Sequence, residues 1–595
     1  MNRSPFRFSE PVLDTQSGRI QCLERTCQNT SRCPVFLRDT VYLKLSLPDS
    51  FDRVVWYRSG WAREFTRQET ALAASFSFTN AKGRCSGECA PFFTLLCRDA
   101  SLDFAVCTSG NYKVELCRAD GQTLLTVSSP DDGFCTMVQP GTVFRYPKIL
   151  AHRYTSLAEC YRAKQARALA LLPDHPFYRQ LPVIYNHWWA YEDRWVNEDV
   201  ILENARTARN LGAELLVLDA GWFGHDAPGE EAFSVRGDWN HVNKSRFPHG
   251  LAWLKEQLAQ LGLTMGIWCE PETMDCRSEL IKHHPEWLAV RSGERLPYLC
   301  FSIPEVQEWA YDTLLNLFRL CGSVYWKLDF NIDPGLGCNA PGHCHDSGDG
   351  LSKHYQGLYR VMDRLRREFP DLVIENCSSG GQRLNLEMGE HTHLHFLSDA
   401  DHSVHQMRVF KEASKWFLPR QLLHFMWSGT RTPDNPLFPS LNPDSISPGE
   451  LRYHMRLAML HPFGISHRLT EYTPATLSLM RDNLTQYKEV IRPYIAEGTY
   501  LPLYLSEHVN VFSYTRGRDS LLFLFAEEPE AASFTLEPLG EQEPVSPAGE
   551  QALSRHGVLT DLDTGERVPL ADAEHLTVDF TPQCRWTSRL MKYSR

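Results

Sequence analysis

The chain has 595 residues, a net charge of −12 and 23% charged residues. The acidic balance leaves no basic footprint for nucleic acid or an anionic membrane, and no apolar run reaches the roughly 18 residues of a membrane span. The length predicts two to four domains and an ample core, and the charge balance suits a neutral, soluble substrate. The N-terminal stretch Met1–Glu10 shows no apolar signal region, and the 18 cysteines are scattered, many inside apolar runs such as Cys97, Cys107, Cys135 and Cys321. Reduced thiols and a cytoplasmic location are the expectation.

From about residue 1 to 165, short alternating runs separated by turn residues predict a β-sandwich: Val41–Leu47, Ala73–Phe78, Phe92–Cys97, Leu102–Cys107 and Tyr112–Leu116. Ala158–Leu171 then turns helical and links this unit to the next. Through about residue 490, strands alternate with amphipathic helices, the pattern of a parallel sheet. The strands are read as Leu181–Tyr185, Leu215–Leu218, Thr264–Trp268, Val324–Leu328, Leu372–Glu375, Leu394–Ser398, Leu422–Trp427 and Leu457–Pro462. That is the number that closes a (β/α)8 TIM barrel, placed at 166–490. Two helices are well marked. Asn197 caps a face of Ile201, Ala205, Ala208 and Leu211 that stops at Gly212, and Tyr355, Leu358, Tyr359, Met362 and Leu365 repeat before Pro370. After 491 the alternation returns in Val509–Tyr514, Leu521–Ala526 and Leu576–Phe580, predicting a small C-terminal β-sandwich with an exposed loop over Glu527–Glu550.

Chemistry-bearing residues fall at the C-terminal ends of the barrel strands, where such a fold presents its site. Asp219 and Trp222 follow the second strand, Trp268 and Glu270 end the third, and Lys327, Asp329 and Asn331 end the fourth. Cys377, Gly380 and Gly381 follow the fifth, and Asp399 and Asp401 the sixth. Two carboxylates across a sugar ring are what glycoside hydrolysis requires, and Asp329 and Asp399 fit nucleophile and acid/base. Lys327 stands two residues before Asp329 and shares its face. Trp188, Trp222 and Trp268 are candidates for an apolar platform beneath the sugar. The run Cys338, His343, Cys344, His345 and Asp346 carries metal-ligand residue types, but its spacing matches no closed set of four. It is read as a loop without metal, with aglycone contact by His343 or His345 as its functional alternative.

Trp326-Lys-Leu-Asp-Phe-Asn331 resembles the nucleophile motif of the melibiase family of α-galactosidases, glycoside hydrolase family thirty-six. Asn186-His-Trp-Trp-Ala190, Leu218-Asp-Ala-Gly-Trp-Phe-Gly224, Gly266–Glu272, His284-Pro-Glu-Trp287, Glu375–Arg383 and Phe396-Leu-Ser-Asp399 follow in the family's order. Gly60-Trp-Ala-Arg-Glu64 and Thr108-Ser-Gly-Asn111 extend the resemblance into the first unit. It implies a cofactor-free retaining exo-α-glycosidase acting on an oligosaccharide or glycoconjugate, with Asp329 as nucleophile and Asp399 as acid/base, Asp401 being the rival. It implies ring contacts from Lys327 and Arg295, the far end of the sugar on Asp219, and the 2-position on Cys377 and Gly380. Homo-oligomers are common in the family, and nothing in the sequence fixes a number. One departure bears on specificity: the family's second aspartate before Gly-Trp is Ala220 here. An α-N-acetylgalactosaminidase, an α-galactosaminidase and a transglycosylase using the same covalent intermediate therefore stand as alternatives to an α-galactosidase.

Overall fold

The computed structural model describes residues 4–224, 232–322, 324–428, 440–536, 557–570, 576–582 and 584–594. Beside a three-stranded sheet (Phe6–Ser9, Thr26–Asn29, Val143–Arg145) and a two-stranded one (Thr136–Val138, Val35–Leu37), two large sheets form the sandwich of the N-terminal unit. One has six strands, ordered Gln21–Leu23, Lys148–Tyr154, Ser101–Cys107, Cys89–Leu96, Arg53–Arg58 and Thr66–Ala71. The other has four, Val41–Pro48, Gln122–Ser128, Tyr112–Ala119 and Ser75–Asn80. Strand parity explains what each face touches. Val54, Phe93, Phe104 and Ile149 point between the two sheets onto Leu43, Leu45, Val114 and Leu125. Their neighbours Val55, Phe92, Ala105 and Leu150 point the other way, into the core of the barrel unit. The six-stranded sheet is thus buried on both faces, which clamps the first unit onto the barrel.

The eight barrel strands are β1 (Ile184–Asn186), β2 (Leu215–Leu218), β3 (Thr264–Cys269), β4 (Tyr325–Leu328), β5 (Val373–Asn376), β6 (Leu394–Phe396), β7 (Leu422–Phe425) and β8 (Phe463–Ile465), and they close in that order. Each is followed by a helix: α1 (Glu198–Leu211), α2 (Leu251–Gln260), α3 (Pro304–Cys321), α4 (Gly350–Glu368), α5 (Leu386–His391), α6 (Ser403–Ala413), α7 (Pro448–Ala458) and α8 (Pro474–Gln486). α1 begins where Asn197 Oδ1 accepts the Val200 N–H at 3.0 Å and ends at Gly212 with φ 113°. Along β4 the residues alternate. Trp326 faces outward, its ring 5.7 Å from that of Phe318 on α3, while Lys327 faces inward over the Phe396 and Phe425 rings of β6 and β7.

The eighth strand lies later than the sequence suggested. Leu457–Pro462 holds the end of α7 and a turn, and the strand is Phe463–Ile465. Ser447, Pro448 and Glu450 are strong start signals for that helix, so the apolar run after them is its buried face. An antiparallel hairpin, Leu288–Arg291 with Glu294–Leu299, is inserted after β3 and had no signature in the sequence reading. The C-terminal unit has a six-stranded sheet, Thr499–Leu505, Val509–Arg516, Asp519–Ala526, Thr587–Ser594, Gly557–Asp561 and Arg567–Leu570, and a two-stranded one, Ala532–Leu536 with Leu576–Phe580. Part of the expected Glu527–Glu550 loop is therefore strand; 537–556 lie outside the described residues.

Candidate active site

The C-terminal ends of β2, β4, β5 and β6 converge on one polar cluster. Lys327 Nζ donates to Asp219 Oδ2 at 2.8 Å, and Asn186 Nδ2 at the end of β1 donates to the same oxygen at 2.7 Å. Burial opposes the charge on both partners. The ammonium outweighs burial at Asp219, holding that carboxyl below its usual range, and Asp219, then Glu375 and Cys377, hold the lysine high. His187 is kept neutral by burial, at about 4, and fixes the turn by accepting the Asp219 N–H at Nδ1 and donating from Nε2 to the Ala220 carbonyl.

Asp329 receives four donors. The N–H groups of Phe330 and Ser379 reach Oδ1 at 2.8 and 3.1 Å, and Asn331 Nδ2 and Trp268 Nε1 reach Oδ2 at 2.9 and 3.2 Å. Asn331 is itself anchored: its N–H and Nδ2 also reach Glu270, and its Oδ1 accepts from Ser379 Oγ at 2.7 Å. Glu270 is fully buried, with Arg236 Nη1 3.1 Å away. Both oxygens of Asp329 are thus fixed in direction by groups from β3, β4 and the loop after β5.

Asp399 sits differently. It is half-buried, and Trp61 Nε1 from the N-terminal unit donates to Oδ2 at 2.8 Å. Burial, then the charge of Asp329, pushes the Asp399 carboxyl up to about 7, against the pull of Trp61 and Lys327. Its loop is set by a close approach. Gly380 has φ 76°, and a Cβ there would lie 2.7 Å from both the Asp399 nitrogen and Glu64 Oε1. Glu64, also from the N-terminal unit and fully buried, accepts from Ser398 Oγ at 2.6 Å and lies 2.9 Å from His405 Nε2. Asp401, the rival, is buried and engaged by the N–H and hydroxyl of Ser428.

The structure brings together Asp219, Trp268, Lys327, Asp329, Asn331, Gly380 and Asp399. Cys377 is buried among them, its thiol pushed well up by burial and then by Asp329. Trp188 is half-buried at the end of β1, edge-on to Phe233 at 5.7 Å. Three assignments change. Trp222 has no exposed surface; its Nε1 donates to the Trp268 carbonyl, and with Phe223 and Trp239 it forms the wall behind Trp268. Trp268 is closed off almost as fully, at 1% exposure, so neither ring presents an open face, and Trp268 belongs to the site through its N–H on Asp329. Arg295 is exposed on the hairpin, opposite Val290, and the structure does not bring it into the cluster.

Three contributors were missed. Trp61, Glu64 and Arg84 all come from the N-terminal unit. Arg84 is buried and donates to the Phe330 carbonyl at 3.2 Å, Ser379 Oγ at 3.0 Å and Asp333 at 2.5 Å, tying the loops after β4 and β5. The motif Gly60–Glu64 contains Trp61 and Glu64 but carried no role in the sequence reading, and Arg84 had no signal there. The loop after β4 also departs from its reading. His343 and His345 turn onto Cys338, and Cys300, just past the hairpin, joins them with all four ligand atoms within 4.8 Å of one another. The expectation of no metal rested on the local run alone, which lacks the Cys300 ligand.

A closed parallel barrel with two aspartates, a buried lysine and buried aromatic rings at its strand ends defines the class: a (β/α)8 barrel with a polar cluster at the C-terminal rim of its strands. The melibiase family model matches residues 155–498, more than half of the chain, and the protein belongs to that family. It is 28% identical over 470 residues to the α-galactosidase AgaA of Geobacillus stearothermophilus, covering 74% of this chain and 61% of that one. To Mel36A of Lactobacillus acidophilus it is 26% identical over 394 residues, covering 63% and 53%. The matched part thus spans less than two thirds of these relatives' length. The fold matches the crystal structure of AgaA with a TM-score of 0.80 at 21% identity, over 96% of this chain and 79% of that one. The galactosidase domain of the α-galactosidase–sucrose kinase AgaSK matches with 0.80 at 19% identity, over 97% and 78%.

Proposed function

We propose that the protein is a retaining exo-α-glycosidase releasing terminal α-linked galactose or a galactose derivative. The observation that carries this reading is the asymmetry of the two aspartates. Asp329 has both oxygens fixed by four donors, whereas Asp399, pushed up to about 7 by burial and by Asp329, keeps its proton in about half of the molecules at pH 7 and in most of them below it. In the first step Asp399 protonates the glycosidic oxygen while Asp329 Oδ2 attacks the anomeric carbon, giving a glycosyl-enzyme and a free aglycone. In the second, Asp399, now ionised, takes a proton from water, which attacks the same carbon and releases Asp329. Asp219 and Lys327 present paired acceptor and donor to ring hydroxyls, and Trp268 steadies Asp329 through its indole N–H. Doubly substituted variants of AgaA have been crystallised with raffinose and with stachyose, and oligosaccharides of that kind are the first substrates to try.

Ala220 favours a second reading of the sugar itself. Its N–H donates to Asp219 Oδ1 at 2.9 Å and its methyl is buried, so one of the family's two carboxylates for the 4- and 6-hydroxyls is replaced by an apolar group. The deciding experiment is initial rates on aryl α-glycosides of galactose, N-acetylgalactosamine, galactosamine, glucose and arabinopyranose, with Asp329→Ala as the blank. Fastest turnover of the galactoside, with the α-anomer seen first by NMR, supports the proposal. A faster 2-substituted galactoside moves the assignment to the galactosaminidases, a product carrying a new sugar–sugar bond moves it to transglycosylation, and an inverted anomer sinks the two-step mechanism.

A further inference from the structure

The loop between β4 and α4 packs against the inserted hairpin through a small core of its own: Ala289, Tyr298, Cys300, Phe330, Cys338 and Ala340. Phe330 follows Asp329 directly, so this core lies immediately behind the nucleophile. At its rim two cysteines and two histidines meet. Cys300 and Cys338 are buried, and His343 and His345 are half-buried. The Cys338 sulfur is 3.3 Å from His343 Nδ1 and accepts the N–H groups of Val290 at 3.2 Å and Ala340 at 3.5 Å. Backbone N–H groups aimed at a sulfur stabilise the thiolate form that binds metal.

The far nitrogens of both rings are already engaged. His343 Nε2 lies 3.0 Å from the Glu286 carbonyl and His345 Nδ1 lies 2.7 Å from the Asp346 carbonyl. A ring N–H held by a carbonyl leaves the opposite nitrogen with its lone pair free and aimed inward, as in histidine metal ligands. His345 Nε2 is buried without a well-formed hydrogen bond, and the group beside it is the Cys338 sulfur. The short loop is shaped for it: Gly337 and Gly342 have φ of 82° and 93°, and a Cβ on Gly337 would lie 2.6 Å from that of Leu351.

We propose that Cys300, Cys338, His343 and His345 bind one Zn²⁺ in a closed tetrahedral site that fastens the loop behind the nucleophile strand to the hairpin after β3. Two sulfurs and two imidazoles in a compact group suit zinc above harder or octahedral ions. With Zn–S of about 2.3 Å and Zn–N of about 2.0 Å, the edges of such a tetrahedron are about 3.3 to 3.8 Å, so separations that now reach 4.8 Å close by at most about 1.0 to 1.5 Å. Both thiols give up their protons to solvent on binding, so the two thiolates neutralise the dication. All four positions belong to the protein, leaving none for substrate, and the role is structural. The same loop reaches the N-terminal unit, where Asp346 accepts the Met137 N–H and Asp333 pairs with Arg84. The metal would cross-link the third and fourth barrel loops where they meet that unit.

The experiment is metal analysis of the full-length chain purified under reductant from zinc-supplemented culture, followed by Co²⁺ titration of the metal-stripped protein. One zinc per chain is expected, with a tetrahedral Co²⁺ spectrum carrying a thiolate-to-metal charge-transfer band. Cys300→Ser and His345→Ala should each lose the metal, whereas Cys344→Ser, next to the site but outside the four, should keep it. Chelation should lower the thermal midpoint, and added Zn²⁺ should restore it. Wild-type protein with neither bound zinc nor the charge-transfer band overturns the proposal, as does metal that Cys344→Ser removes and Cys300→Ser leaves. Where a variant fails to fold, the wild-type cobalt spectrum decides alone. None of these readouts depends on glycosidase activity.

Discussion

Two buried acid–lysine clusters in this protein are built from the same residue types and do opposite things. At the joint between the N-terminal sheet, the linker helix Leu157–Leu171 and α6, Asp103 is enclosed by Lys164 and Lys415, with Thr94 Oγ1 and Tyr154 OH also donating to it. Burial opposes that carboxylate, but two ammonium groups overwhelm the opposition and hold it far below its usual range. At the strand ends the ratio is reversed. One lysine, Lys327, serves Asp219, while Asp399, under burial and then the charge of Asp329, rises to about 7. A surplus of cations makes a joint, and a surplus of carboxylates makes a proton store.

Four changes test that contrast. Asp329→Ala should cost the most, about 10⁴-fold or more in kcat on an aryl α-glycoside, the scale on which removal of a covalent nucleophile acts in other hydrolases. The variant should stay folded by circular dichroism; near wild-type turnover would end the assignment. Asp103→Ala leaves two lysines buried without their partner and should destabilise the fold by about 3–5 kcal/mol in urea, with kcat per folded molecule unchanged. Because Asp103 is depressed in the folded state, the stability it contributes is present above its unfolded pKa of about 4 and is lost as pH falls below that toward its folded value.

Asp399→Asn should do the reverse. Raising this carboxyl from 3.8 to about 7 costs up to about 4 kcal/mol at neutral pH, at 1.36 kcal/mol per unit. The substitution should therefore stabilise the protein at pH 7, with the gain nearly gone at about pH 4, where the native residue is already protonated. Denaturation curves at the two pH values check the sign; equal stability at both would show that Asp399 is not raised. Trp61→Phe is the smallest change. It removes a hydrogen bond that favours the ionised form, so the alkaline limb of kcat/KM, set by loss of the Asp399 proton, should move upward by less than about one unit. A downward shift would mean that Trp61 acts on Asp399 in some other way.

Much of the catalytic half of this picture was legible in the order of residues along the chain. The alternation of β4 puts Lys327 inside the barrel and Trp326 outside, and a polar group at the end of an apolar strand lands at one rim whatever else the chain does. The α1 caps at Asn197 and Gly212 were equally local. The eighth strand was misplaced because a short apolar run reads alike as buried helix or buried strand, and only the packing of α7 separates them. Trp222 follows β2 and Trp268 lies in β3; both rings are fully buried, and what separates them is the partner of the indole N–H, the Trp268 carbonyl for one and Asp329 Oδ2 for the other, which only the packing decides.

What the sequence determined by itself is the set of strand-end groups, because periods of 2 and 3.6 residues are written within a few positions of each group. What only the tertiary structure decided is who stands opposite them. Trp61 meets Asp399 across 338 residues, Arg84 meets Ser379 across 295, and Glu64 meets His405 across 341. Cys300 reaches the Cys338 loop in the same way, around a whole helix and strand. No local pattern encodes those meetings. They follow from a sheet buried on both faces, which holds one unit against the barrel rim and so brings its side chains onto groups that the barrel alone leaves unfinished.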